Sequence, residues 1–221
     1  MEKIDGENPY ENRNLFQKTW YFLWKDESIM SWIVLLALSL FIIVFVFFPF
    51  SEFLLSSKLP YVVIETGSMI HDGNFDNFWD KKGLWYDLEN ITKEEFSEFK
   101  FKNGLGIGDI VIIKGYENYS VGEIIVFSVP EEKPVIHRIV EIQTKCVNIE
   151  PAREDISKVD YSDCYIIRTK GDANTGQLKA ELNITKEMVF GKAVFRIPKI
   201  GYIKLIPCFI FPSLCNFIDN V

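Results

Sequence analysis

Residues 109–142 read DIVIIKGYENYSVGEIIVFSVPEEKPVIHRIVEI. Three runs within this stretch, 109–114, 123–129 and 135–142, are dense in Val and Ile. The spacers between them hold Gly115, Asn118, Gly122, Pro130 and Pro134. β-Branched side chains suit a pleated, half-buried surface, and Gly, Pro and Asn mark the turns that join such strands. Three consecutive strands are therefore expected. Working outward, 61–65 (YVVIE), 165–169 (YIIRT) and 189–197 (VFGKAVFRI) have the same character. Six short strands predict a mainly β domain, built as a β-barrel or a pair of small sheets.

One segment departs from this pattern. Residues 71–108 are aromatic and acidic, and Thr92-Lys93-Glu94-Glu95, followed by Phe96 and Phe99, reads as a capping box opening a short helix. We read 71–108 as a small mixed insertion packed on the β domain.

Toward the N-terminus, residues 28–51 (SIMSWIVLLALSLFIIVFVFFPFS) carry no charge over 24 positions. A helix needs roughly 20 residues to cross a bilayer core, whereas the apolar core of a cleaved secretory signal is about 7–15. A retained transmembrane helix at 29–50 is expected. Lys3, Arg13, Lys18 and Lys25 precede it, and only Lys58 lies in the twenty residues after it. This bias places the N-terminus in the cytoplasm and the rest outside the cell membrane. Within 1–28, Phe16, Trp20, Leu23 and Trp24 recur at helical spacing. They fit an amphipathic helix on the inner surface or an ordinary aromatic belt. The tail, 205–221, is apolar but holds Pro207, Pro212 and Asp219, which favours a membrane-proximal hairpin over a second span.

Composition narrows the function. Of 221 residues, 48% are hydrophobic, and 24 Lys+Arg against 31 Asp+Glu give a net charge of -7. An acidic chain lacks the basic face that nucleic-acid binding requires, so no nucleic acid is expected as a partner. With no Cys-x-x-Cys and only two histidines, neither a metal site nor a cofactor is expected. Cys146 and Cys164 bracket a polar excursion that a disulfide can close in an outward-facing domain, and Cys208 and Cys215 either pair or pack. Three Asn-x-Ser/Thr sequons, at Asn90, Asn118 and Asn183, fall on the expected outer side.

Three short patches carry the chemistry: Glu65-Thr66-Gly67-Ser68-Met69 after the 61–65 strand, His137-Arg138-Ile139 within VIHRIVEI, and Thr169-Lys170-Gly171-Asp172-Ala173-Asn174. Singly, each reads as turn or strand. His71, three residues past Ser68, reads as a loop residue, which leaves His137 as the candidate base.

Taken in order, ETGSM, GDIVII, GEIIVF, HRI, TKGDAN and GKAVFRIPKIGYI resemble a type I signal peptidase, in particular its archaeal and endoplasmic-reticulum branch. The resemblance covers about residues 61–204 and implies a signal-peptidase-like β domain behind a membrane anchor. It implies a serine endopeptidase that removes signal peptides from secretory preproteins, cutting after a small residue. Partners would be those signal peptides, the lipid bilayer and the protein translocation channel. Bacterial members carry a lysine base where this chain has His137, which sets the branch. On this reading Ser68 is the nucleophile, activated by His137, since a hydroxyl is inert until a base takes its proton and a free imidazole titrates near pH 6.5. Asp172 is the preferred acid to orient the imidazole. Reticulum members commonly carry a further aspartate a few residues on, where this chain has Gln177 and Leu178. Glu181 as a substitute acid, or a Ser–His dyad with Asp172 acting only in its turn, are the alternatives. The Ser68 N–H and the Thr66 hydroxyl are candidate oxyanion donors, Gly67 would let substrate approach, and Met69 completes the expected binding turn. The strand at 61–65 can pair with an extended peptide by edge addition. The missing second aspartate leaves one alternative of another class: a non-catalytic peptide-binding β module of a secretion complex.

Overall fold

The computed structural model describes residues 14–130, 133–148, 160–204 and 206. It divides into two compact units, 1–53 and 54–221. In the first, helix α1 (Leu15–Trp24) carries Phe16, Trp20 and Trp24 exposed along one side, with the rings of Phe16 and Trp20 stacked. It is followed by helix α2 (Ile29–Leu55), whose most apolar 18-residue stretch has a mean hydropathy of 3.0, long and apolar enough to cross a membrane. Ser28 caps α2 by accepting from the Ser31 N–H. The helix widens to a π-turn at Ile43–Phe47. Pro49, two residues on, has no N–H to give and its ring crowds the carbonyl four residues back, which accounts for the local widening.

The second unit is built on one antiparallel sheet of six strands: β1 (Tyr61–Val63), β2 (Ile110–Lys114), β3 (Ile124–Phe127), β4 (Val135–Asn148), β5 (Asp160–Lys170) and β6 (Val189–Ile197), in the order β1-β2-β6-β3-β4-β5. All six expected runs form strands. They make a single sheet, however, rather than a barrel or two small sheets, and β1 and β5 are its two edges among the described residues. Strands β4 and β5 also run further than the apolar pattern suggested, pairing out to Asn148 and Asp160. Backbone pairing along a hairpin continues through polar residues once the first rungs are set. Cys164 is disulfide-bonded; the side chain of Cys146 and residues 207–221, with the expected tail hairpin, lie outside the described residues.

Three apolar clusters hold the domain. One joins β2, β3 and β6 through Val111, Ile113, Ile124, Val126 and Ala193, with Ile64 and Met69 from just past β1. A second lies beneath β3, β4 and β5, around Ile125, Phe127, Ile139 and Ile167. The third is the insertion itself, which forms two helices: α3 (Phe75–Leu88), capped by Asn74, and α4 (Lys93–Glu98), capped by Thr92 as its sequence predicted. Phe78, Tyr86, Ile91 and Phe96 pack there against Val140 of β4. The insertion thus carries a buried aromatic core of its own, with Phe96 and Tyr86 edge-to-face at 4.8 Å.

Candidate active site

Ser68 stands in a tight turn just past β1, closed by the Ile70 N–H donating to the Gly67 carbonyl at 3.1 Å. The turn is tied down on both sides. The Ala173 N–H donates to the Ser68 carbonyl and the Leu105 N–H to the Met69 carbonyl, each at 2.8 Å. Gly104 is needed for the second contact: its φ is +73°, and a Cβ there would lie 2.3 Å from the Met69 carbonyl oxygen.

His137 is on β4, paired across to Ile125, and only 3% exposed. Its Nδ1 is hydrogen-bonded to Oε1 of Glu181, which ends the 3-10 turn Lys179–Glu181 and is fully buried. The Glu181 carboxylate also accepts from the Thr169 hydroxyl and the Leu178 N–H. An ionised carboxylate can only accept, so the neutral imidazole keeps its proton on Nδ1 and leaves a lone pair on Nε2. Glycine at 171 leaves room beside Nε2; a Cβ there would stand 2.7 Å from it.

Ser68 and His137, 69 positions apart, line the same cleft of about 940 Å³. Tyr61 to Thr66 form one wall, Lys133 to Ile136 another, and Asn174 to Leu178 the rim. The Ser68 hydroxyl lies 3.5 Å from Thr66 Oγ1. No bond joins Ser68 to His137 among the described residues; in unliganded sites catalytic hydrogen bonds are often long and tighten only when substrate excludes water.

Asp172 does not orient His137. Its carboxylate is fully buried and takes bonds from the Arg138 guanidinium at 2.7 and 3.0 Å, His71 Nε2 at 2.9 Å and the Tyr86 hydroxyl at 2.9 Å. Burial alone would raise its pKa. The Arg138 charge, with hydrogen bonds from His71 and Arg138, outweighs that and holds the carboxyl well below the usual range. Burial pushes the Tyr86 hydroxyl well up, with Asp172 adding to it. The preferred orienting acid is thus a structural hub, and the carboxylate that reaches the imidazole is Glu181. Glu181, the alternative acid in the sequence, gets there because its 3-10 turn brings it to Thr169 at the end of β5.

His71 lies in the loop before α3, as expected, yet it is not a free loop side chain. Its side chain is buried and stacked on Phe78 at 3.6 Å, 3° from coplanar. Met69 is likewise not a binding residue: it is fully buried in the core and its sulfur accepts from the Asp172 N–H. Thr66 is at the cleft. At Gly67 a Cβ would meet only Ile70 Cδ1 at 3.5 Å, so the protein's own packing does not demand glycine there. Among the described residues no cluster of His, Cys, Asp or Glu is arranged to hold a metal. No family model matches this chain, and neither does any curated protein.

Proposed function

We propose that this chain is a membrane-anchored serine endopeptidase of the type I signal peptidase kind, acting on signal peptides at the outer face of the cell membrane. One observation carries the reading: a serine in a firmly held turn and a histidine with its Nδ1 on a buried carboxylate line one cleft, beside the open edge of β1. The helix at Ile29–Leu55 fits an enzyme whose substrate emerges from the bilayer.

In this reading an extended peptide lies along β1 and presents its carbonyl to Ser68. Nε2 of His137 takes the hydroxyl proton as Oγ attacks, and Glu181 stabilises the imidazolium that forms. The Ser68 N–H, with Thr66 Oγ1 beside it, donates to the developing oxyanion. His137 then returns the proton to the leaving amine, and a water activated by the same nitrogen releases the acyl chain. Asp172 takes no part in proton transfer and fixes the loop that bears Gly171.

The test is cleavage of a purified preprotein by the full chain in detergent. Ser68→Ala and His137→Ala are each expected to lower kcat by roughly a thousandfold or more, with the melting temperature unchanged in Ser68→Ala and lowered in His137→Ala, which leaves the buried Glu181 carboxylate without its imidazole. A folded wild type that binds the preprotein and leaves it intact would instead establish the non-catalytic peptide-binding module.

A further inference from the structure

Lys170, the last residue of β5, is fully buried and has no carboxylate bonded to it among the described residues. Its ammonium lies 5.0 Å from the Trp85 ring and 4.9 Å from the Tyr86 ring, both on α3. It donates to the Gly171 carbonyl at 3.0 Å and to the Asp172 carbonyl at 3.3 Å. Both carbonyls belong to trans peptides, in which C=O and N–H point in opposite directions. The N–H partners of those same two peptides are therefore turned away from Lys170. The Asp172 N–H meets the Met69 sulfur at 3.5 Å, and the Ala173 N–H meets the Ser68 carbonyl at 2.8 Å. One cation on one side thus aims two donors at the turn that carries the serine on the other.

We propose that Lys170 is a positioning residue: its ammonium orients the 171–172 and 172–173 peptides, which clasp the Ser68–Met69 turn, and insertion helix α3 supplies the rings that hold it. For catalysis this rests on the peptidase reading, while the clasp itself does not. Hydrogen bonds from a cation are about twice as strong as neutral ones, and attraction to the rings needs the charge as well. Burial lowers the Lys170 pKa to about 8. The charged groups around it are Asp172 on its own loop, Lys82 of α3, Glu181 of the 3-10 turn and Arg138 of β4, with the Tyr86 hydroxyl also on α3. Of these, Lys82 and Arg138 favour loss of the proton, and Asp172 and Glu181 oppose it. The clasp therefore weakens as pH rises through about 8.

The test uses the full-length chain in detergent, isotope-labelled at alanine. NMR follows protection of the Ala173 amide between about pH 7 and 9.5, after correction for intrinsic exchange. Wild type is expected to lose protection across that window, and Lys170→Met to lack it throughout. Preprotein cleavage by Lys170→Met should show kcat down about tenfold with KM within about twofold, the pattern of a misplaced nucleophile. Lys170→Arg, which stays charged, should keep its kcat at high pH. Protection of Ala173 that is the same at both ends of the window and in Lys170→Met would overturn the proposal. Loss of protection in a wild type that cuts no preprotein would uphold the clasp and sink the peptidase reading alone.

Discussion

Asp172 and Glu181 are both fully buried carboxylates, and their partners separate what each does. Asp172 neutralises Arg138, so Asp172→Asn leaves a buried guanidinium without its anion. That change should cost about 3–5 kcal/mol in denaturant unfolding. Because the folded pKa of Asp172 lies below its unfolded value of about 3.9, its contribution is complete above that value and is lost as pH falls toward the folded one. The stability gap between wild type and Asp172→Asn should hold steady from neutrality to about pH 4 and close below it. Lys170 has the opposite sense. Its folded pKa of about 8 lies below the unfolded 10.5, so its charge lowers stability near neutrality, and stability from this group rises with pH between those values. Lys170→Met should accordingly not lower the melting temperature at neutral pH even though it slows cleavage, and a scanning calorimeter can check this. At this scale the sequence singled out Ser68 and His137, and the two share a cleft. It did not show that His71, Tyr86 and Arg138 converge on Asp172, because those contacts span 34 to 101 positions.

Among the elements, the insertion packs on the β domain through Val140 and also covers buried charges of the sheet. Arg138 of β4 donates to the carbonyls of Lys100 and Phe101, just past α4, and lies 4.7 Å over the Phe96 ring. Through Tyr86, Phe96 and His71 the insertion encloses the buried charges of the sheet. Replacing residues 74–99 by a short linker should therefore prevent cooperative unfolding altogether, by uncovering Arg138 and Asp172 together. A milder probe is Tyr86→Phe, which removes one hydrogen bond to Asp172 and should cost about 1–2 kcal/mol by urea titration. Short helix α4 was legible because Thr92 and the residues after it form a local cap. Helix α3 was not, since Gly83 and a mixed polar and aromatic face hid its period. Strands were legible from Val and Ile density; their assembly into one sheet follows from long-range pairing such as β2 with β6, which no local run of residues encodes.

For the whole molecule, the two units impose different demands. Helix α2 should keep the full chain in the membrane pellet after alkaline carbonate extraction, and a Leu40→Arg change near its middle should weaken that retention, a buried charge costing about 2.5–3.5 kcal/mol on insertion scales. The β unit places the serine turn and the imidazole at one cleft, with the Glu181 carboxylate buried behind the imidazole, and the account stands or falls on whether these three act as a catalytic set. The most direct measurement is the kcat of preprotein cleavage for wild type and Glu181→Gln, with the melting temperature of each as the control for folding. The account predicts cleavage by wild type and a loss of about a hundredfold to ten-thousandfold in Glu181→Gln, with KM little changed, since an amide cannot support the imidazolium. A folded Glu181→Gln protein that cuts as fast as wild type would contradict it.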